Sequence, residues 1–263
     1  GFELAKKVGH ISLQSWIGIL LSWMNIGMGN MTKALSFAEE SVALDKKTGN
    51  ITHLSMSIDF LGFIYQILGE WDKTEQYYNE ALSISQRLKD FQAIAHSHGF
   101  LGWLNLVKGE YAKAREFYEK MYEVFEKAGA KQFQMSFSPG FILACIELGE
   151  IEKATNLIDS VQKFALEVED KDLIATADGL RGMLFRAQKK WEESIEYCEK
   201  SLQEFEALNA RRWSVYYFAK WVLCEYARVY LERDQEGDRH KAHNLLNQAL
   251  EIFQKLGAKK DIE

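Results

Sequence analysis

The sequence predicts an all-α solenoid of stacked helical hairpins, and three observations carry that prediction. One proline occurs in 263 residues, and proline removes an amide donor and clashes inside a helix. Turn-like segments recur every 40 residues: Gly29-Asn30-Met31, Gly69-Glu70-Trp71, Gly109-Glu110-Tyr111, Gly149-Glu150-Ile151 and Lys189-Lys190-Trp191, with Gly237-Asp238-Arg239 after a further 48. Two columns keep phase with the turns: Ala34, Thr74, Ala114, Ala154, Ser194 and Ala242, then Ser41, Ala81, Met121, Val161, Ser201 and Ala249. Repetition at such a period marks an array of supersecondary units, each needing its neighbours to bury an apolar face.

The units follow in order. Leu4–Ile11 aligns with Leu44–Ile51 across 40 residues, so residues 1–12 read as the end of a truncated repeat. The chain is accordingly expected to be a piece of a longer protein, continuing N-terminally. Repeats are expected at 13–52, 53–92, 93–132, 133–172, 173–212 and 213–263, together one solenoid domain. In the second, Ile58, Phe60, Leu61, Ile64 and Tyr65 recur at helical spacing. Gly69 ends that helix, since glycine accepts the left-handed conformation a C-terminus requires. Glu70 opens the next helix, where a carboxylate meets the positive end of the dipole. Trp71, Thr74, Tyr78, Ala81 and Leu82 form its stripe. Trp71, Tyr111 and Trp191 start second helices and are expected to wedge against neighbouring helices. The fourth unit departs most: Phe141-Ile142 stands where other units have Leu-Gly, and Ser138-Pro139-Gly140 holds the lone proline. Either Ser138 caps a late helix start with Pro139 in its first turn, or the helix kinks there.

Composition bounds the function. With 47% hydrophobic and 27% charged residues the chain has apolar material for a large core and is not of a disordered class. A net charge of −6 argues against nucleic acid as partner. No apolar run reaches about 18 residues, so no membrane span is expected, and residues 1–8 do not form a signal peptide. Cys145, Cys198 and Cys224 are far apart, odd in number and without a CxxC pair. Buried thiols in a reducing, cytoplasmic setting are expected. No Gly-Lys dipeptide, HExxH, GxSxG or EF-hand loop occurs. His240 and His243 share a helix face at i,i+3 but lack an evident third ligand. His96 and His98, two apart, point in different directions on a helix. The sequons at Asn30 and Asn50 read as accidental, and pairs such as Glu39-Glu40 and Glu192-Glu193 as solvated faces. Neither enzyme activity nor a metal or cofactor is expected.

The columns resemble the tetratricopeptide repeat: Leu61-Gly62…Tyr65…Gly69-Glu70-Trp71…Tyr78…Ala81-Leu82, and again Leu101-Gly102…Gly109-Glu110-Tyr111…Ala114…Tyr118. The resemblance covers nearly the whole chain. It departs from the family in its 40-residue period, where about 34 is usual, and in lacking the closing proline. Six extra residues lengthen each helix by roughly one turn. The resemblance implies a right-handed superhelix whose first helices line a concave wall. It also implies that the second, fifth, ninth and twelfth residues of each first helix face inward. By register these are Trp16, Ile19, Trp23 and Ile26; Met56, Asp59, Phe63 and Gln66; His96, Gly99, Trp103 and Leu106; Ser136, Pro139, Leu143 and Ile146; Thr176, Gly179, Met183 and Arg186; Trp221, Cys224, Arg228 and Leu231.

Three of these positions are charged, Asp59, Arg186 and Arg228, against about six expected at the chain's average of 27%. Large apolar patches left exposed mark binding sites, and aromatics and methionine supply adaptable surface. An apolar groove with a basic end near Arg186 and Arg228 is therefore expected. Its binding residues are Trp16, Ile19, Trp23, Met56, Phe63, Gln66, His96, Trp103, Leu143, Met183, Arg186, Trp221 and Arg228. The competing reading packs these side chains between adjacent first helices. The expected function is a protein-interaction or ligand-sensing module binding a peptide or an apolar ligand; the alternative is a structural scaffold or self-association module without a small ligand. The last unit also resembles final repeats of bacterial and archaeal signalling proteins, in which long arrays follow a STAND-type ATPase or sit beside a nucleotide cyclase. That resemblance implies a sensor arm restraining a catalytic domain, so the rest of the same protein is a possible partner.

Overall fold

The fold is that of a computed structural model, which describes residues 9–208 and 215–262. The truncated repeat read in residues 1–12 falls mostly outside the described residues, as does the junction of the fifth and sixth units. Helices run in antiparallel pairs: α1 (Ile11–Gly27) and α2 (Met31–Thr48), α3 (Ile51–Ile67) and α4 (Trp71–Leu88), α5 (Phe91–Val107) and α6 (Tyr111–Ala128), α7 (Lys131–Glu147) and α8 (Ile151–Glu167), α9 (Lys171–Ala187) and α10 (Trp191–Ala207). The last pair differs. Its first arm is α11 (Val215–Tyr217), a π-helical stretch (Phe218–Leu223) and α12 (Cys224–Arg233); its second is α13 (Asp238–Leu256), followed by the short α14 (Lys259–Ile262). No strand occurs among the described residues.

The turns inside the hairpins are alike. Gly69 has φ +79°, and the same left-handed step recurs at Gly29, Gly109, Gly149 and Gly237. Lys189 takes it at φ +58° despite its side chain. Second helices start at Met31, Trp71, Tyr111 and Ile151 without a side-chain cap. First helices are capped by side chains where the chain crosses between hairpins: Asn50 accepts from the amide of His53, Asp90 from Ala93 and Asp170 from Leu173.

The two in-phase columns form the buried faces of the second helices, every member at 0–1% exposure. Across from them the first helices supply space. A Cβ on Gly62 would lie 2.7 Å from Tyr78 Cε1, one on Gly102 3.0 Å from the Tyr118 ring, and one on Gly182 2.6 Å from Cys198 Sγ. In the fourth hairpin Ile142 occupies this register, and the residue matching Tyr78 and Tyr118 is the smaller Ile158; both are fully buried in one cluster. Volume is conserved across the pair, which explains why the Leu-Gly signature is dispensable there.

The Ser-Pro-Gly segment is also explained by packing. α7 begins at Lys131 and Pro139 lies inside it, so Ser138 does not cap a late start. Its hydroxyl donates to the carbonyl of Gln134 at 2.8 Å and meets the Tyr122 hydroxyl. Gly140 accommodates the buried hydroxyl end of Tyr118, which would collide with any Cβ there. Trp71, Tyr111 and Trp191 are half-buried and pack against three different core clusters, as wedges.

Two stability changes test this interlock. Gly62→Ala is expected to destabilise by about 1–3 kcal/mol, the range for overpacking, despite alanine's better helix propensity. Lys189→Gly is expected to stabilise by about 0.5–1 kcal/mol, because left-handed strain of about 1–2 kcal/mol exceeds glycine's entropic cost. Urea unfolding of both variants measures them.

Candidate interaction cleft

The expected wall residues divide by burial. Trp16 and Met56 are exposed; Ile19, Trp23, His96, Trp103 and Arg228 are half-buried; Phe63, Gln66, Leu143, Met183, Arg186 and Trp221 are buried. The apolar column is therefore not one open trough. Trp23 tilts against Phe60 and Phe63, with ring centroids 4.6 and 5.5 Å apart. Trp16 lies 4.4 Å from the His53 ring. Gln66 accepts from the Tyr78 hydroxyl at 3.0 Å inside the second hairpin. Asp59, also assigned to the wall by register, is buried and accepts from Ser97 at 2.7 Å; burial holds its carboxyl well above the ordinary range. Met183 and Gly179 border a gap of about 10 Å³ against Trp221 and Tyr226, so at that end packing between first helices prevails.

The arrangement is set by the last hairpin, which leans onto the third. Trp103 of α5 stacks on Tyr217 (5.8 Å, 18°) and meets Trp221 edge-on (5.6 Å, 67°). Beside this contact opens a cleft of about 440 Å³, a volume that suits a small ligand or a few peptide side chains. One wall is Leu106, Val107, Lys108 and Tyr111, from the α5–α6 turn. The facing wall is Lys220, Trp221, Cys224 and Glu225, and Phe253, Lys260 and Asp261 close the third side. Lys220 is paired with Asp261, and Lys108 with Glu75 at 2.7 Å. Of the lining, Leu106, Trp221 and Cys224 were legible in register. Lys220, Phe253 and Asp261 were not, because nothing in a repeat pattern shows where an array returns on itself.

The expected basic end is corrected. Arg186 lies 2.7 Å from Glu147, 2.8 Å from Glu232 and 3.7 Å from Glu225. Arg228 lies 3.0 Å from Glu147, 2.8 Å from Glu232 and 3.7 Å from Glu225. Two guanidinium groups thus share three carboxylates. Burial raises the Glu225 carboxyl above its ordinary value, opposed by both arginines. The acidic partners stand up to 81 residues away in sequence, outside any local register.

A second polar cluster sits between the first two hairpins. His53 Nδ1 lies 2.7 Å from Asp45 Oδ2 and 3.1 Å from Ser15 Oγ, and Ser57 donates to Asp45 at 2.6 Å. Serine, histidine and aspartate are the components of a nucleophilic triad, but here Ser15 and Asp45 address the same imidazole nitrogen. A relay needs the base on one nitrogen and the orienting carboxylate on the other. This buried cluster is a packing contact.

His96 packs among Phe125, Phe133 and Phe137, centroids 5.2–5.7 Å away, and burial pushes its imidazole down to about 4 from 6.5. Between those values the unfolded chain takes up a proton that the folded ring refuses. The His96 share of stability is therefore expected to be flat above about pH 6.5 and to fall as pH drops toward 4, by roughly 2–3 kcal/mol, against an opposite slope from Asp59 and Glu225, whose carboxyls burial raises. The difference in urea midpoint between the unaltered chain and His96→Leu at pH 7.5, 6 and 5 isolates that share; His98, also lowered to about 4 by burial, adds a slope of the same sign.

Residues 54–127 match the tetratricopeptide repeat model. No curated protein matches the chain. Among solved structures, the apo form of RapI aligns with a TM-score of 0.73 at 15% identity, over 94% of this chain and 84% of that one. A Rap protein complexed with Competence and Sporulation Factor aligns at 0.76 and 14%, over 93% of this chain and 65% of that one. NprR in complex with its cognate peptide NprX aligns at 0.66 and 16%, over 97% and 74%. At these identities the likeness is one of fold. No described helix is long and apolar enough to cross a membrane. Residues 54–127 thus carry the tetratricopeptide-repeat signature, and hairpins of the same design stack before and after the matched stretch.

Proposed function

We propose that the chain is a protein-interaction module that takes a peptide or an apolar guest in the cleft between its third and last hairpins. It would serve as the regulatory arm of a larger cytoplasmic signalling protein. The observation that carries this reading is the cleft itself, where Val107 and the edges of the buried Trp221, Leu106 and Phe253 form the floor and Lys220, Asp261 and Glu225 supply polar anchors. A few polar groups around an apolar floor orient a guest. The likeness to NprR, whose structure holds its cognate peptide, supports a peptide as guest. The regulatory role rests on the resemblance of the last unit to sensor arrays. Catalysis is not part of the proposal. Selection of a displayed random-peptide library on the chain, followed by calorimetry of a selected peptide, tests it. Val107→Arg and Lys220→Glu are each expected to weaken that peptide at least tenfold while leaving the thermal midpoint within a few degrees. Unchanged affinity in both would overturn the cleft as the site.

One feature favours self-association as a second reading. Along α1, Leu13, Trp16, Leu20, Met24 and Met28 are 43–61% exposed, and the helix carries no charged residue. Of the residues 40 positions later, His53, Phe60 and Ile64 are 0–4% exposed beneath the preceding hairpin, Leu68 is half-buried and Met56 stays exposed. Sedimentation velocity at rising concentration is expected to show a dimer that Leu20→Lys with Met24→Lys abolishes; a monomer throughout would remove this reading.

A further inference from the structure

Stacking in a repeat array is between neighbours, so its stability is a sum of local terms and its curvature deforms at low cost. This array departs from that pattern at one seam. The aliphatic stem of Lys255 lies against Gly29, and a Cβ there would be 2.7 Å from Lys255 Cε. Lys260 lies against Gly69 in the same way, at 2.9 Å to its Cγ. A Cβ on Gly257 would lie 3.9 Å from Leu68 Cδ2, and Lys259 lies 3.9 Å from Glu70. The turns of the first two hairpins thus rest on the end of α13 and the start of α14, while Trp103 rests on Tyr217 and Trp221. Opening these contacts, together with the Arg228–Glu147 pair between the last and fourth hairpins, leaves each hairpin on its immediate neighbour.

The seam is also incompletely satisfied. The indole N–H groups of Trp103 and Trp221 are buried with no acceptor, Trp221 being 8% exposed, and Arg186 Nε and Glu225 Oε2 lack hydrogen-bond partners. A buried donor without an acceptor gives up its bond to water for nothing, a cost the closed state bears. A closed state that carries such costs is one a competing surface can replace.

We infer that the last hairpin occupies the array's own groove and holds it shut. The partner it mimics is an amphipathic helix with two aromatic residues four apart and an acidic residue four further on, as in Tyr217, Trp221 and Glu225. Such a helix docks its aromatics on Trp103 and its carboxylate toward Arg186 once the seam opens. This inference rests on the cleft reading above and adds its regulation and the chemistry of its partner.

Cys224 lines the cleft, whereas Cys145 and Cys198 are buried in hairpin cores. Burial raises the Cys224 thiol to about 11, so its reaction with N-ethylmaleimide is slow while the seam is closed. In the full chain, Leu68→Asp is expected to raise the labelling rate of Cys224 at least fivefold, read by mass spectrometry, with Cys145 and Cys198 unchanged. Lys255→Ala with Lys260→Ala is a second variant, at exposed positions, that opens the same seam should Leu68→Asp fail to fold. A fluorescent peptide of residues 215–233 carrying Cys224→Ser is expected to bind the opened variant at least tenfold more tightly than the unaltered chain. The same peptide with Tyr217→Ala and Trp221→Ala is expected not to bind. An unchanged Cys224 rate, or one rising in step with Cys145 and Cys198, overturns the seam. Equal binding to opened and unaltered chains overturns self-occupation. If the 215–233 peptide fails while library peptides still bind at the cleft, the mimicry falls and the cleft reading stands; if library peptides also fail, the cleft reading falls, whatever the labelling shows.

Discussion

Everything in this structure depends on how closely two helices of a hairpin approach. Where Gly62 faces Tyr78 and Gly102 faces Tyr118, a ring lies against bare backbone, and that contact sets the separation of the helices. The small residues on the second helices repeat the same close approach one face further round. Gly182 against Cys198, and Ile142 with Ile158, repeat that approach in later hairpins, so the hairpins stack in one sense. Stacking in one sense makes a curved array, and enough curvature brings the sixth hairpin back to the third.

That return converts a linear array into one with a long-range contact, and the functional features gather there. The aromatic contact of Trp103 with Tyr217 and Trp221, the cleft beside it and the charge network around Arg186 all require residues from hairpins that are not sequence neighbours. The π-helical stretch Phe218–Leu223 lies at the same place. Wide turns of this kind are frequent at functional sites. It shifts which side chains of the last first-helix face inward, presenting Trp221 to both the cleft and the fifth hairpin.

The fold was legible in the sequence because every determinant is local and repeated: a left-handed residue at the turn, a small residue five further on, a buried residue seven beyond. Even the exceptions are local substitutions, Lys189 at a glycine position and the pairing of Ile142 with Ile158. The site was legible only in part. Register placed Trp103, Leu106, Trp221 and Cys224 on one face, and the structure brings them to one cleft or its edge. Register also assigned Asp59, Gln66 and Leu143 to a wall, yet they are buried. It anticipated positive charge at Arg186 and Arg228 without seeing Glu147, Glu225 and Glu232. Such partners are fixed by the curvature of the whole stack, a property that accumulates over six hairpins and that no single repeat encodes.

The five charges around Arg186 have a thermal consequence. They join the fourth, fifth and last hairpins through groups largely withdrawn from water. The hydration that opposes such a network becomes less favourable as temperature rises, while the drive from apolar area levels off. On warming, the ionic share of what joins these three hairpins therefore grows relative to the apolar share.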